Sequence, residues 1–143
     1  MNLIKVINQK QLVDALLVRS IVFTDEQKVP TNIQIDEEDQ TCLHYVCYDN
    51  NKAIGALRLI IHNNYVKLGR FCVLKSHRLL GVGHFMLTAL EKEKEIIEVG
   101  EIRFNAQIQV IKFYESCGYI SYGDVFEEAN IQHKRMKKII YDK

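Results

Sequence analysis

A single proline, Pro30, no internal repeat and no stretch of biased composition leave nothing in this sequence that marks a linker. Residues 1–143 are therefore expected to form one domain, a length at which a chain can bury its own core. No apolar run approaches the roughly 18 residues of a membrane-crossing helix. The start, Met1-Asn2-Leu3-Ile4-Lys5, has neither an apolar h-region nor a small-residue cleavage site, so a soluble, cytoplasmic protein without a membrane partner is expected. Neither sign of charge prevails: 19 Lys and Arg against 18 Asp and Glu give +1, which removes the bulk electrostatic case for nucleic acid. Cys42, Cys47, Cys72 and Cys117 show no CxxC spacing. They read as reduced, buried thiols, and no metal is expected.

What is present is a succession of short periodic segments. Ile4 to Ile7 reads as a first strand. Asn8, with Gln11 three residues on, resembles a capping box opening a helix over Gln9 to Phe23 whose buried face holds Leu12, Ala15, Leu16 and Ile21-Val22-Phe23. Asp25 to Gln40 reads as an exposed, irregular or short-helix segment, acidic at Asp36-Glu37-Glu38-Asp39. His44 to Tyr48, Ala53 to Ile61 and Tyr65 to Leu74 read as a three-strand meander turned at Asp49-Lys52 and His62-Asn64. From Gly81 the apolar period becomes helical through Val82, Phe85, Met86, Ala89, Leu90 and Ile97, stopping at Gly100. Glu101 to Ala106 reads as a strand and Gln107 to Cys117 as a short helix ended by Gly118. Two final strands are expected near Tyr119 to Tyr122 and His133 to Ile140. The order predicts an α/β (α+β) domain with a mixed sheet.

The junction Phe71-Cys72-Val73-Leu74-Lys75-Ser76-His77-Arg78-Leu79-Leu80-Gly81-Val82-Gly83 carries the chemistry. A strand there runs through a glycine turn straight into a helix. Free amides at a helix start point into such a turn, the macrodipole adds about half a positive charge, and glycines without Cβ let anionic oxygens reach the backbone. Arg78 adds a fixed cation. A Walker A loop needs Lys after its last glycine, where His84 stands. A Rossmann turn needs a third glycine, where Met86 stands.

Arg78-x-x-Gly81-x-Gly83 after a strand resembles the pyrophosphate-binding signature of the GCN5-related N-acetyltransferases (GNAT family). Gln107-x-x-Val110-x-x-Phe113-Tyr114-x-x-x-Gly118-Tyr119 resembles that family's second block, with Gln and Val where the pattern has Asn and Ala. Val22 to Gln27 and Ala129 to Met136 are most similar to the ElaA and YjcF-like branch. The resemblance implies a three-layer α/β/α fold around a central mixed, mostly antiparallel sheet. It implies acetyl-CoA as acyl donor, bound by Phe71, Cys72, Val73, Arg78, Leu79, Leu80, Gly81, Val82, Gly83, Gln107 and Tyr114. It further implies direct transfer to an amine of a small molecule or peptide, in a monomer or homodimer. The alternative is a catalytically weak module that binds or senses acyl-CoA.

In direct transfer, backbone amides near Cys72 and Val73 would serve the oxyanion. By resemblance Tyr114 is the general acid toward the CoA thiolate; the plainer alternative is a half-buried aromatic on a short helix. Glu26, Asp39, His44 and His133 are candidates for the base, each set against a solvated charge or a structural histidine. His77 and His84 flank the glycine turn. An acyl-cysteine at Cys72 is disfavoured, because an apolar setting raises a thiol's pKa. The acidic run is either an attractor for a cationic acceptor or a solubilising loop.

Overall fold

The expected meander forms, because alternating side chains give each of its strands two apolar faces. In the computed structural model, which describes residues 1–141, its strands are β2 (Leu43–Asp49), β3 (Lys52–Ile61) and β4 (Val66–Val73). With β1 (Asn2–Lys5), β5 (Glu101–Gln107), β6 (Ile120–Glu128) and β7 (Ile131–Ile139) they make one sheet in the order β1-β2-β3-β4-β5-β7-β6. Neighbours are antiparallel except β4 and β5. The helices are α1 (Gln9–Arg19), α2 (Thr31–Gln34), α3 (Val82–Leu90), α4 (Lys94–Val99) and α5 (Ile111–Ser116).

Two cores follow from the alternation. Tyr45, Cys47, Leu57 and Leu59 face Met86, Leu87 and Leu90 of α3 and Ile96 of α4. Val46, Ala56 and Cys72 face Ala15 and Val18 of α1. Each large aliphatic side chain so buried contributes roughly 1.5–3 kcal/mol. The result is the three-layer arrangement with a mixed, mostly antiparallel sheet.

Several boundaries differ from the sequence reading. Asn8 does cap α1, its Oδ1 accepting from the Gln11 amide at 2.9 Å, while Gln11 reaches back to the Ile7 amide at 2.8 Å. The α-helix ends at Arg19, however, and the chain widens into a π-helical stretch, Ser20–Glu26, with a Gln27 N–H bond to the Val22 carbonyl. The change of pitch moves Ile21 off the buried face. The helix expected from Gly81 to a stop at Gly100, with Glu91-Lys92-Glu93-Lys94 read as a solvated charged stretch, breaks after Leu90, where two of those carboxylates are engaged. Glu91 accepts from the Tyr119 hydroxyl at 2.9 Å and from Lys138 at 3.0 Å, and Glu93 accepts from the Tyr45 hydroxyl at 2.9 Å. The helix expected over Gln107 to Cys117 is a 3-10 turn, Ile108–Val110, followed by α5, with Gln107 closing β5. The first strand starts earlier than expected and leaves Ile7 exposed. The last two strands are longer, pairing as a hairpin.

The acidic run is the largest departure from a solubilising loop. Asp36 caps a 3-10 turn, Glu37–Gln40, and both Asp36 and Asp39 turn inward. Arg19, fully buried at the end of α1, donates to both oxygens of Asp39 at 2.8 and 3.0 Å and to Gln34. Arg58 on β3 donates to Asp36 at 2.7 and 3.1 Å and to Asp39 at 3.0 Å. Arg70 on β4 donates to Asp36 at 3.2 Å and to the carbonyls of Ile33 and Gln34. Three guanidinium groups and two carboxylates thus tie the segment between α1 and β2 to the sheet.

Burial works against ionisation of Asp39, but hydrogen bonds from Arg19, the Asp36 amide and Arg58 outweigh it and hold its carboxyl well below the usual carboxylate range. A carboxyl depressed by folding adds stability that is complete above its unfolded value near 4 and is lost as the pH falls through the folded value. Asp39→Asn is expected to cost about 3–5 kcal/mol at neutral pH, because the buried Arg19 loses its carboxylate partner and Arg58 loses one of two. It is also expected to lessen the fall in stability below about pH 4. Urea denaturation at pH 7 and pH 3 reads both effects, and a variant with the wild-type profile would refute this role.

Candidate functional site

The site begins with a fault in β4. Gly69 pairs with Arg58 and Cys72 with Ala56, so Arg70 and Phe71 share one position on β3. That is a β-bulge, which bends a strand and sharpens its twist. Arg70 sits in the left-handed region at φ +51°, a conformation costing about 1–3 kcal/mol in a residue other than glycine. Its guanidinium bonds to the Ile33 and Gln34 carbonyls hold it there. On the other edge, β4 pairs with β5 only at Val66–Ile102 and Lys67–Arg103. Beyond these positions the two parallel strands part, leaving the β5-facing main-chain groups of β4 without a strand partner.

A cavity of about 980 Å³ fills the opening. Of the residues singled out in the sequence, Phe71, Cys72, Val73, Arg78, Leu79, Gly81, Val82, Gly83, Gln107 and Tyr114 line it, and Leu80 lies exposed in the same turn. The turn is open to solvent: Leu79 is fully exposed and Leu80 two-thirds exposed. Gly81 adopts φ +81°. The first bond within α3 runs from Phe85 to the Gly81 carbonyl at 3.0 Å, and no side chain caps the helix. Its opening amides therefore point into the turn with no acceptor among the described residues. Gly83 is closely packed: a Cβ there would come within 2.9 Å of the Phe113 ring, which would have to shift.

Arg78, expected from the sequence as a fixed cation for the turn, is paired with Glu26 instead. Its guanidinium grips Glu26 with two bonds of 2.8 Å and donates to the Val73 carbonyl at 2.9 Å. Gln107 donates to the Gln27 side chain at 2.8 Å, joining the end of β5 to the stretch after α1. Both contacts bring the Val22 to Gln27 segment to the cleft.

Tyr114 is buried among Phe71, Phe104, Phe113 and Tyr119, with Phe104 nearest at 4.5 Å between centroids. Its hydroxyl has no hydrogen-bond partner among the described residues. Burial, with smaller contributions from the Cys72 and Cys117 thiols, pushes its pKa well up, so it stays protonated. Cys72 is buried with its thiol pushed up to about 12, chiefly by loss of solvent, which disarms it as a nucleophile.

The four candidate bases separate. Glu26 is engaged by Arg78, and Asp39 is held ionised between Arg19 and Arg58. His44 is buried outside the cleft, its Nε2 bonded to the Asp39 carbonyl at 2.8 Å. His133 lines the cleft. Of the two histidines beside the turn, His77 contacts Ser76 and Asp49, and His84 contacts the Cys117 thiol. Asp39, Cys42 and His44 lie close enough together to share an ion. Their groups are committed elsewhere: the carboxylate to two arginines, Nε2 to a carbonyl, and the Cys42 thiol pushed up to about 11 mainly by burial. Among the described residues no helix is long and apolar enough to cross a membrane.

The sequence reading missed Gln27, Arg70 and Glu128, all on the cleft wall. Arg19 and Arg58 were legible in principle. Arg19 follows Ala15 by one helical turn on the buried face of α1, and Arg58 interrupts the apolar run of β3, positions where a charge needs a buried partner.

Residues 9–140 match the family model described as "Acetyltransferase (GNAT) domain". An uncharacterised N-acetyltransferase of Bacillus subtilis (strain 168), YjcF, is 42% identical over 132 residues, covering 92% of this chain and 94% of that protein. The crystal structure of Escherichia coli ElaA superposes with a TM-score of 0.84 at 26% identity, covering 96% of this chain and 99% of that one. An acyl-CoA N-acyltransferase from Pseudomonas aeruginosa shares the fold with a TM-score of 0.84 at 23% identity, covering 96% and 99%.

A methyl group at Gly81 would meet nothing within 4 Å, so Gly81→Ala isolates the backbone cost of the turn. A loss of roughly 1–2 kcal/mol in unfolding free energy is expected. Unchanged stability in urea would show that the turn does not depend on its left-handed residue.

Proposed function

This chain belongs to the GNAT acetyltransferase family, and we propose that it transfers an acetyl group from acetyl-CoA to an amine of a small molecule or peptide by direct attack within a ternary complex. As a member of that family it is an acyl-CoA-dependent N-acyltransferase. The observation that carries the reading is the parting of β4 from β5 beside an uncapped α3. The first supplies main-chain groups for the pantetheine arm and thioester, and the second supplies amides for the pyrophosphate.

The step needs no covalent enzyme intermediate. A neutral amine attacks the thioester carbon, the C–N bond forms, and the C–S bond breaks as the tetrahedral intermediate collapses. The oxyanion is met by amides near Cys72 and Val73. Tyr114 gives its proton to the departing thiolate and recovers one that the amine nitrogen sheds on forming the amide. An amine that arrives protonated loses one further proton, which passes to solvent. The hydroxyl is suited to the acid role because it is protonated, without a competing partner and on the cleft wall.

The Arg78–Glu26 pair bears on affinity. In this reading Arg78 turns toward the pyrophosphate, and the pair must open. While the pair is closed it also occupies the Glu26 carboxylate.

Three measurements check this reading. Acetyl-CoA is expected to raise the melting temperature, since a ligand bound only by the native state stabilises it; no shift at saturation would contradict it. Tyr114→Phe is expected to lower kcat for thiol release about a hundredfold or more while keeping that thermal shift, and equal turnover would remove Tyr114 from the acid role. Glu26→Gln frees Arg78 and is expected to tighten acetyl-CoA binding in calorimetry, whereas weaker binding would show that the pair itself forms the site.

A further inference from the structure

We infer that His133 takes the proton from the acceptor amine, with Glu128 as its positioning residue. This rests on the acetyl-transfer reading above and supplies the proton acceptor which that reading lacks. His133 stands on β7 opposite Gln107, the last residue of β5. Met136, three residues on, faces the α3 core, so alternation turns His133 to the α1 face, where Gln107 meets Gln27. Tyr114 belongs to the core on the opposite face. Tyr114, which gives a proton to sulfur and recovers one as the amide forms, and His133, which takes the further proton of the ammonium, therefore approach the parting of β4 and β5 from opposite sides.

The imidazole is prepared for that task. It is 6% exposed, and Nδ1 lies 2.7 Å from the Ile131 carbonyl oxygen. A carbonyl only accepts, so Nδ1 carries the hydrogen and the neutral ring keeps its lone pair at Nε2. Nε2 is 3.6 Å from Glu128 Oε2, too far for a hydrogen bond to occupy it and near enough for the carboxylate to hold the ring's orientation as it takes a proton. Asn105 on β5 donates to Glu128 at 3.3 Å, and Phe126 on β6 stacks against the imidazole. Arg135 lies on the Phe126 ring, 5.0 Å from its centroid. Beyond these two charges, the neighbouring β5 side chains, Asn105 and Gln107, are neutral. In the step, the ammonium N–H bond breaks, Nε2 gains the proton, and the imidazolium returns it to solvent beside the half-exposed Glu128.

The test compares wild type, His133→Gln and Glu128→Gln, with ethylamine and hydroxylamine as probe acceptors. Ethylamine is protonated at neutral pH and hydroxylamine is not, so only the first needs a base. His133→Gln is expected to lower kcat with ethylamine about a hundredfold, to abolish the acidic limb of its pH profile, and to leave hydroxylamine turnover and the acetyl-CoA thermal shift little changed. Glu128→Gln is expected to slow ethylamine selectively and less severely. An equal loss with both amines would assign His133 a structural role, and full ethylamine turnover would remove it from the reaction; either overturns the inference and leaves acetyl transfer standing. If wild type acetylates neither amine, the transfer reading falls and this inference with it. Nitrogen-15 NMR of the wild-type ring is independent of variant folding: a neutral ring protonated at Nδ1 is expected, and one protonated at Nε2 overturns the proposal.

Discussion

Two parallel strands that stop pairing after two positions govern everything else in this molecule. A sheet normally satisfies its main-chain groups strand by strand, and an interior edge left open is tolerated only where something else is to bind. Here the opening is enforced by the bulge at Arg70 and Phe71, and the bulge by guanidinium bonds to the segment between α1 and β2. The distortion is therefore held in place by side chains on the far side of the sheet from α3.

That bracing explains why so much charge is buried in a protein of near-zero net charge. Asp36 and Asp39 sit between three arginines from α1, β3 and β4. A buried ion network seldom adds net stability over an apolar core of equal volume, but it fixes geometry because each partner is costly to remove. Here it fixes the bend of β4 and one wall of the cleft. The opposite wall is built from aromatic packing around Tyr114. One wall is held by ions and hydrogen bonds, the other by apolar contact, and the two faces of the cleft differ in chemistry accordingly.

Local signals made most of the architecture legible. The alternation in β2, β3 and β4, the cap at Asn8 and the glycines around α3 each act over a few residues, so the sequence displays them directly. The helix break after Leu90 was hidden because Glu91 and Glu93 accept hydrogen bonds from tyrosines 28 and 48 residues away. The role of Asp36 and Asp39 was hidden for the same reason, their arginines lying up to 34 residues off. The glycine turn and Tyr114 were singled out through the family resemblance, and both lie on the one cleft. The state of Arg78, closed on Glu26 across 52 residues, depends on a contact that no local pattern records. His133 was one of four candidates, and no local pattern in the sequence shows the contacts of its ring nitrogens.

The most direct measurement is an amide NMR titration of the uniformly labelled protein with coenzyme A. Binding at the open edge of β4 and the start of α3 should shift the Gly81, Val82 and Gly83 amides together with those of Phe71, Cys72 and Val73, leaving β1 and the outer face of α1 unmoved. Saturable shifts confined to other surfaces, with these six amides unchanged, would contradict the assignment of that opening as the donor site.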